Sequence, residues 1–339
     1  MVVTDLDERR HPVEHPDAHW SDSLYFNGFD LASDTCFLTR MAVLPNQPAA
    51  NALFVAWRDG APAYGYYREL DHLPGADWDA TTIAGLGYRM LESRRRWSLE
   101  LDDGDNKAYL EFEGTGGCFD YADNAAPLPR PVAWGHYEQS GTVRGDLVLG
   151  GRRLEFDGVS QRDHSWGWRD WSGVREWHWV TGLFPPSGSR SLRSPLPRNS
   201  GGPGAGEPGP LGEGWQLHGV GMAFNLFHVV DGAGSVSANG YVLDNGQVHP
   251  IVRADRQTRE GPGRVPEGYD LTLEVAGGAS YEVAAERSHE SLPLQPGSTT
   301  VQEAPMRLRS GRREGLGIYE LLFNDHSGQE MMRDTTRSD

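Results

Sequence analysis

Most of this chain consists of short runs in which apolar and polar residues alternate, with β-branched and aromatic residues frequent among the apolar ones. Such alternation places successive side chains on opposite faces of a β-strand. Turn sequences such as Asp59-Gly60 and Asn245-Gly246 separate the runs. The pattern predicts strands at residues 35–44, 51–57, 96–102, 107–113, 136–149, 177–184, 215–230, 235–243, 269–275, 281–286 and 316–323.

Helical patterns are scarce, since no long segment combines an apolar period near 3.6 residues with capping residues at its ends. Many short strands separated by turns are typical of sandwiches and barrels rather than of parallel sheets with crossover helices. We therefore predict an all-β protein made of two antiparallel β-barrels or sandwiches packed together.

Two further features predict the domain organisation. The strand pattern breaks at residues 125–130, so we expect an N-terminal β domain at 1–128 and a C-terminal one at 129–339. Residues 185–214 are rich in Gly, Pro, Ser and Arg and nearly free of large apolar side chains. That composition predicts a disordered insertion in the second domain, and a tolerated surface insertion is favoured over a lid.

The overall composition excludes several functions. Hydrophobic residues make up 37% of the chain, enough for packed cores, and the formal net charge is −17. A surface this acidic repels nucleic acids and anionic lipids. No apolar stretch approaches the roughly 20 residues that span a bilayer, and the N-terminus lacks an apolar leader, so a cytoplasmic location is expected. For the two cysteines, Cys36 and Cys118, two thiols are favoured over one bridge.

The densest chemical pattern lies at residues 162–179, RDHSWGWRDWSGVREWHW. Charged groups among so many indole rings must be paired, or their pKa values shift strongly. The neighbours Asp163 and His164 suit proton transfer, and Arg169 with Asp170 is predicted to form a buried ion pair. An alternative of equal weight is that these charges only pin a loop where two sheets meet. The five indoles predicted to line a substrate pocket are Trp166, Trp168, Trp171, Trp177 and Trp179.

Strand parity adds further candidates. Glu138 and Glu320 each alternate with other side chains on predicted strands, and a carboxyl group on an inward face acquires a raised pKa. On an outward face either residue would simply be solvated. The side chains that parity places beside the indoles, and that we expect to contact substrate, are His178, His218, Met222 and Phe224.

Familiar catalytic motifs are missing from the sequence: it has no G-x-S-x-G elbow, no Walker loop and no H-E-x-x-H. The histidines at 164, 178, 218 and 228 have no spacing typical of metal ligands. We therefore predict no metal site, and the Gly-rich stretches lie in turns or in the insertion rather than between a strand and a helix, so nucleotide binding has no support.

Four segments together resemble a known family: residues 19–26 (HWSDSLYF), 41–46, 136–141 (HYEQSG) and 162–171 (RDHSWGWRDW). They are similar to actinobacterial two-domain proteins of the superfamily of AttH-like proteins and hydroxyneurosporene synthase (carotenoid 1,2-hydratase). The resemblance covers most of the chain outside the insertion. It implies two lipocalin-like barrels and a hydrophobic pocket near their junction.

The same resemblance implies two kinds of reaction, since the superfamily contains hydratases and Diels–Alderase-type cyclases. The predicted function is a cofactor-independent enzyme of isoprenoid or polyketide metabolism that folds a polyene-like substrate in a barrel pocket for cyclisation or hydration. The candidate catalytic residues are Asp163, His164, Glu138 and Glu320. The alternative is a non-catalytic protein that binds hydrophobic ligands. In either case the expected partner is a hydrophobic small molecule, and the protein is expected to be a monomer or a homodimer.

Overall fold

The computed structural model describes residues 2–75, 77–186, 219–294 and 299–324. In this part of the chain the backbone forms twenty β-strands and three single-turn 3-10 helices, which confirms the all-β prediction. No helix in these ranges has the length and apolar character needed to cross a membrane. The 3-10 turns are Tyr121–Asp123, Trp171–Gly173 and Pro262–Arg264.

The strands form two antiparallel sheets. The first contains β1 (Trp20–Asp30), β2 (Thr35–Leu44), β3 (Ala49–Arg58), β4 (Ala61–Leu70), β5 (Ala80–Ile83), β6 (Leu86–Glu92), β7 (Arg96–Asp103), β8 (Asn106–Gly114), β9 (Phe119–Asp120), β10 (Gly135–Leu149) and β11 (Arg152–Trp168). The second contains β12 (Val174–Phe184), β13 (Met222–Asp231), β14 (Val236–Asp244), β15 (Gln247–Glu260), β16 (Pro266–Val275), β17 (Ser280–Arg287), β18 (Leu292–Leu294), β19 (Thr299–Ser310) and β20 (Arg313–Asn324).

Each sheet curves into a barrel-like shape. The first has the order β4-β3-β2-β1-β11-β10-β8-β7-β6-β5, with β9 attached to β10. The second has the order β17-β16-β15-β14-β13-β12-β20-β19-β18, and β17 also pairs with β19. This extra pairing closes strands β12–β17, β19 and β20 into a ring, with the short strand β18 attached to β19. Two lipocalin-like barrels are therefore confirmed as the fold.

The chain passes from the first sheet to the second between Trp168 and Val174. Strands β10 and β11, which follow residue 129, belong to the first sheet. The domain boundary at 128/129 stays a prediction. Most of the expected insertion, at 187–214, lies outside the described residues.

The hairpin β10–β11 places the central residues of the candidate site. Its turn is Gly150-Gly151, with φ values of 57° and 75°. A two-residue hairpin turn of this kind needs positive φ at both positions, which glycine adopts without steric cost. The turn fixes the register, so that Glu138 lies opposite Asp163 and Tyr137 lies opposite His164.

Three apolar clusters stabilise the molecule. One fills the barrel formed by the first sheet, one fills the barrel formed by the second sheet, and the third lies between the two sheets. The third, called the junction here, combines Tyr25 and Leu38 of the first sheet with Trp177, Trp179 and Ile318 of the second. Burial of each large apolar side chain contributes about 1.5–3 kcal/mol, so the junction holds the sheets firmly together.

Candidate active site

Strand parity divides the polar residues of the hairpin between two faces. Glu138 faces the junction, where its Oε1 accepts a hydrogen bond from Nε1 of Trp179 in the second sheet, at 3.2 Å. Asp163, its register partner, shares that face. His164 points the other way and contacts Asp22 of β1, with 2.7 Å between Nε2 and Oδ1. The side chains of the adjacent residues Asp163 and His164 therefore lie on opposite faces of the sheet, Asp163 in the junction and His164 against Asp22.

Glu138 is fully buried among hydrogen-bonding groups. Its Oε1 lies 2.9 Å from the Tyr121 hydroxyl and 3.0 Å from Nε2 of His136, and its Oε2 accepts from the Gln161 amide. Burial raises the pKa of Glu138 to about 8 and lowers the pKa of His136 to about 4. Both groups are therefore uncharged at neutral pH.

The Tyr121 hydroxyl extends this network to β13. It lies 2.6 Å from Oδ1 of Asn225 as well as 2.9 Å from Glu138. A hydroxyl carries a single proton, so it can donate to only one of the two oxygens. A protonated Glu138 resolves the conflict, because it donates to Tyr121 while Tyr121 donates to Asn225.

Asp163 differs from Glu138 in having no such partners. It is 9% exposed, and across the part of the chain that the structure describes no hydrogen bond reaches its carboxylate. Burial raises the pKa of Asp163 to about 6, with Glu138 adding to the effect and His136, Arg169 and Arg40 opposing it. An acid of this pKa can both hold and release a proton near neutrality.

A second acidic pair lies on the opposite wall of the junction. Glu303 of β19 is the register partner of Glu320 of β20, and Glu320 accepts the indole N–H of Trp177 at 2.7 Å. Glu303 is 2% exposed, and its Oε2 has no hydrogen-bond partner among the described residues. Burial and the neighbouring Glu320 hold the pKa of Glu303 well above its ordinary value.

Two arginines bring positive charge to the same region. Arg40 donates to Oδ1 of Asn51 at 3.2 Å. The Arg169 guanidinium donates to the hydroxyls of Ser23 and Ser165, at 2.9 Å each. Burial lowers the pKa of both, to about 10 for Arg169. They also lower the pKa of Asp163, so the junction balances acids against half-buried cations.

The partner expected for Arg169 is engaged elsewhere. Asp170 caps the 3-10 turn Trp171–Gly173, accepting from the backbone N–H and the hydroxyl of Ser172 at 3.1 and 2.5 Å. The chain leaves β11 just before this turn, which directs the carboxylate away from the guanidinium. The predicted ion pair between Arg169 and Asp170 is therefore replaced by two separate sets of contacts.

The predicted indoles divide into two groups. Trp177 and Trp179 lie in the junction, and Trp171 packs edge-on against Trp177 with 5.1 Å between ring centroids. Trp166 instead stacks on His11, with ring centroids 3.5 Å apart, and Trp168 lies 6.0 Å from the ring of His15. These last two indoles therefore contact the N-terminal segment rather than the junction.

The remaining predicted residues lie elsewhere. His178, Met222 and Phe224 are buried in the second sheet, Met222 and Phe224 in the core of its ring. The Nδ1 atom of His178 is 2.6 Å from the Tyr319 hydroxyl. His218 lies outside the described residues. The predicted set is thus split between the junction, the interior of the first barrel and the interior of the second.

Sequence reasoning missed Glu303, Arg40 and Tyr25. The ring of Tyr25 packs edge-on against Trp179 at 5.3 Å, and Glu303 and Glu320 both raise the pKa of this tyrosine after the larger effect of burial. Tyr25 lies in the resemblance segment 19–26 but was not singled out there, and Arg40 and Glu303 lie in none of the four segments. The sequence shows each of them only as a polar or charged residue within a predicted strand. Which strands pair must be known before such a residue can be assigned to the junction.

The model of the family described as "Domain of unknown function (DUF7064)" matches residues 4–201. No curated protein sequence matches the chain.

Solved structures share the fold. The chain is similar to a protein described as AttH from Nitrosomonas europaea, with a TM-score of 0.61 and 12% identity over 91% of this chain and 94% of that one. It is similar to CghA in complex with Sch210972, with a TM-score of 0.59 and 12% identity over 91% and 89%. It is also similar to kievitone hydratase from Nectria haematococca, with a TM-score of 0.58 and 12% identity over 95% and 93%. These likenesses agree with the lipocalin-like fold expected from the sequence.

Proposed function

Because the chain belongs to the DUF7064 family, whose description specifies no activity, we propose its function from the junction itself. The protein is proposed to be an enzyme that protonates an alkene of an apolar isoprenoid or polyketide and directs the resulting cation to hydration or cyclisation. The observation that carries this proposal is Asp163, a buried carboxyl group of pKa about 6 with no hydrogen-bond donor in the described chain.

The proposed step needs only a proton and a nucleophile. The carboxylic acid of Asp163 donates its proton to one alkene carbon, and the π electrons form the new C–H bond. The adjacent carbon becomes a cation. In hydration, water adds to that cation and loses a proton; in cyclisation, a second alkene adds and the ring cation loses a proton to a carboxylate.

The surroundings suit a cationic intermediate. The rings of Tyr25 and Trp179 lie in the junction, and aromatic faces attract cations within about 6 Å. Glu320, held by Trp177, is the carboxylate proposed to accept the final proton. Asp163 and Glu320 both act electrostatically on Arg40, which assigns them to a single cluster.

The fold relatives support this class of reaction. Kievitone hydratase is a hydratase by name, and CghA was solved with a small organic molecule, Sch210972. At 12% identity they share the fold alone, so the assignment of roles depends on the residues of the junction.

Product analysis in deuterium oxide tests the proposal. The protein is incubated with linear terpenoids, prenylated phenols and an organic cell extract, and products are analysed by mass spectrometry. Proton-initiated chemistry places deuterium on carbon: hydration also adds one water, whereas cyclisation gives a new retention time. Asp163→Asn should abolish the product, whereas Glu155→Gln, at an exposed position of the same strand, should not.

Two outcomes contradict the proposal. A product that forms without carbon-bound deuterium, and still forms in Asp163→Asn, indicates a cycloaddition directed by shape alone. A compound that binds and is recovered unchanged indicates a carrier.

A further inference from the structure

We propose that His11, Asp22 and His164 form a binding site for a divalent transition metal in the first barrel. His11 belongs to the N-terminal segment, Asp22 to β1 and His164 to β11. His164 points away from the junction, so this site is independent of the function proposed for Asp163.

The three side chains already surround a common point. Nε2 of His164 is 2.7 Å from Oδ1 of Asp22, and Nδ1 of His11 is 3.3 Å from Oδ2. All the candidate ligand atoms lie within 4.8 Å of one another. Bonds of about 2.0–2.2 Å to zinc require separations of about 3.3 Å between ligand atoms, so small side-chain shifts suffice.

Outer hydrogen bonds hold Asp22 and His164 as a metal site requires. The indole of Trp78 donates to Oδ1 of Asp22 and the backbone N–H of His11 donates to Oδ2, both at 2.7 Å. The Tyr137 hydroxyl lies 3.3 Å from Nδ1 of His164, the nitrogen that would not face the metal. Such outer hydrogen bonds orient ligating carboxylates and imidazoles. A bound metal would replace only the two imidazole contacts of Asp22.

Two of the three ligands are fully buried, and the third can be reached from solvent. The side chains of Asp22 and His164 are 1% and 0% exposed, whereas His11 is 15% exposed and provides a route from solvent. The His11 ring stacks on Trp166 with an interplanar angle of 4°, which fixes its orientation. The nearby Arg10 donates to the carbonyls of residues 74 and 75, and its charge acts on Asp22 and on Asp77 from outside the three ligands.

The ligand set indicates which metals fit. Two imidazoles and one carboxylate suit Zn²⁺, Fe²⁺ and Co²⁺ and leave the remaining positions to water. A metal here would join the N-terminal segment to two adjacent strands of the barrel. This site could not be predicted from the sequence, because His164 lies 142 residues after Asp22 and the three ligands have no motif spacing.

Metal titration of the full-length protein tests this site. After treatment with EDTA, the protein is titrated with Zn²⁺ by calorimetry and with Co²⁺ by visible absorption. We expect one ion per chain, a dissociation constant in the micromolar range or below, and Co²⁺ bands typical of nitrogen and oxygen ligands. His11→Phe retains a ring against Trp166 but removes the ligand atom, so affinity should fall at least tenfold.

His19→Ala is the matched control, since His19 is an exposed histidine on the same segment that contacts Asp17. It should bind zinc like the wild type. Trp78→Phe, which removes the outer hydrogen bond to Asp22, should weaken binding by about tenfold. The proposal is overturned if the wild type binds no stoichiometric zinc, or if His11→Phe and the wild type bind it equally.

Discussion

Glu303 and Glu320 face each other directly across the antiparallel strands β19 and β20, on the wall of the junction opposite Asp163. Like charges in register on neighbouring strands destabilise a sheet. Burial and this neighbour keep the pKa of Glu303 well above its ordinary 4.5, so Glu303 holds its proton in the folded protein. The sheet therefore tolerates two acidic residues because one of them is neutral.

The pH dependence of stability follows from that proton. Above pH 4.5 the unfolded chain releases the proton while the folded protein retains it, so the free energy of unfolding falls as pH rises toward the folded pKa. Glutamine carries no titrating proton, so this loss of stability with rising pH is absent in Glu303→Gln. At pH 8 the variant should be more stable than the wild type, and its free energy of unfolding should depend less on pH between 5 and 8.

Urea denaturation at pH 5 and pH 8, followed by tryptophan fluorescence, measures the difference. Glu314→Gln is the control, because Glu314 is an exposed residue of the same strand β20. Equal slopes of stability against pH in wild type and Glu303→Gln would contradict a raised pKa.

Asp163 should titrate near pH 6, and the half-buried cations Arg40 and Arg169 should lower that value. Positive charge favours the carboxylate, so Arg40→Gln should raise the pKa of Asp163, and any turnover that needs the protonated acid should persist to higher pH. Carbon NMR of labelled aspartate measures the pKa without a substrate. Arg89→Gln, at an exposed site on β6, should leave it unchanged. If the pKa of Asp163 is the same in Arg40→Gln and in the wild type, Arg40 does not stabilise the Asp163 carboxylate.

Many of the strands could be predicted from the sequence, because apolar and polar residues alternate wherever one face of a strand is more polar than the other. Residues 35–44 coincide with β2, and the predicted strand at 177–184 lies within β12. Alternation also placed Glu320 on one face with Ile318, and Ile318 lies in the junction.

The site was harder to predict because it depends on pairing between distant strands. Strand β11 is buried on both faces over much of its length, so its polar residues do not alternate with apolar ones. Asp163 and His164 look like one unit in the sequence, yet the pleat sends them to opposite faces of the sheet. The partner of Glu320, Glu303, becomes visible only once β19 and β20 are known to pair.

Glu138 should tolerate an amide better than an alkyl group. As a neutral acid it donates one hydrogen bond and accepts others. A glutamine side chain can donate to Tyr121 and accept from Gln161, but its amide nitrogen cannot accept from Trp179. Glu138→Leu also leaves Trp179 without its acceptor, and it removes the contacts with Tyr121 and one of the two contacts of the Gln161 amide, which keeps Tyr241. We expect Glu138→Gln to lose about 1–3 kcal/mol and Glu138→Leu to lose more. Chemical denaturation at pH 7 measures both, and an equal loss in the two variants would mean that Glu138 is ionised.

The N-terminal segment should be required for stability through the pair formed by Glu8 and Arg162. Both side chains are 0% exposed, and Nη2 of Arg162 lies 2.6 Å from Oε1 of Glu8. Glu8→Gln leaves a buried guanidinium without its counter-charge, which costs about 3–5 kcal/mol. Thermal and urea unfolding should show this loss, whereas Glu14→Gln, at an exposed position of the same segment, should match the wild type. If Glu8→Gln unfolds like Glu14→Gln, another group neutralises Arg162 and the segment does not stabilise the barrel through this pair.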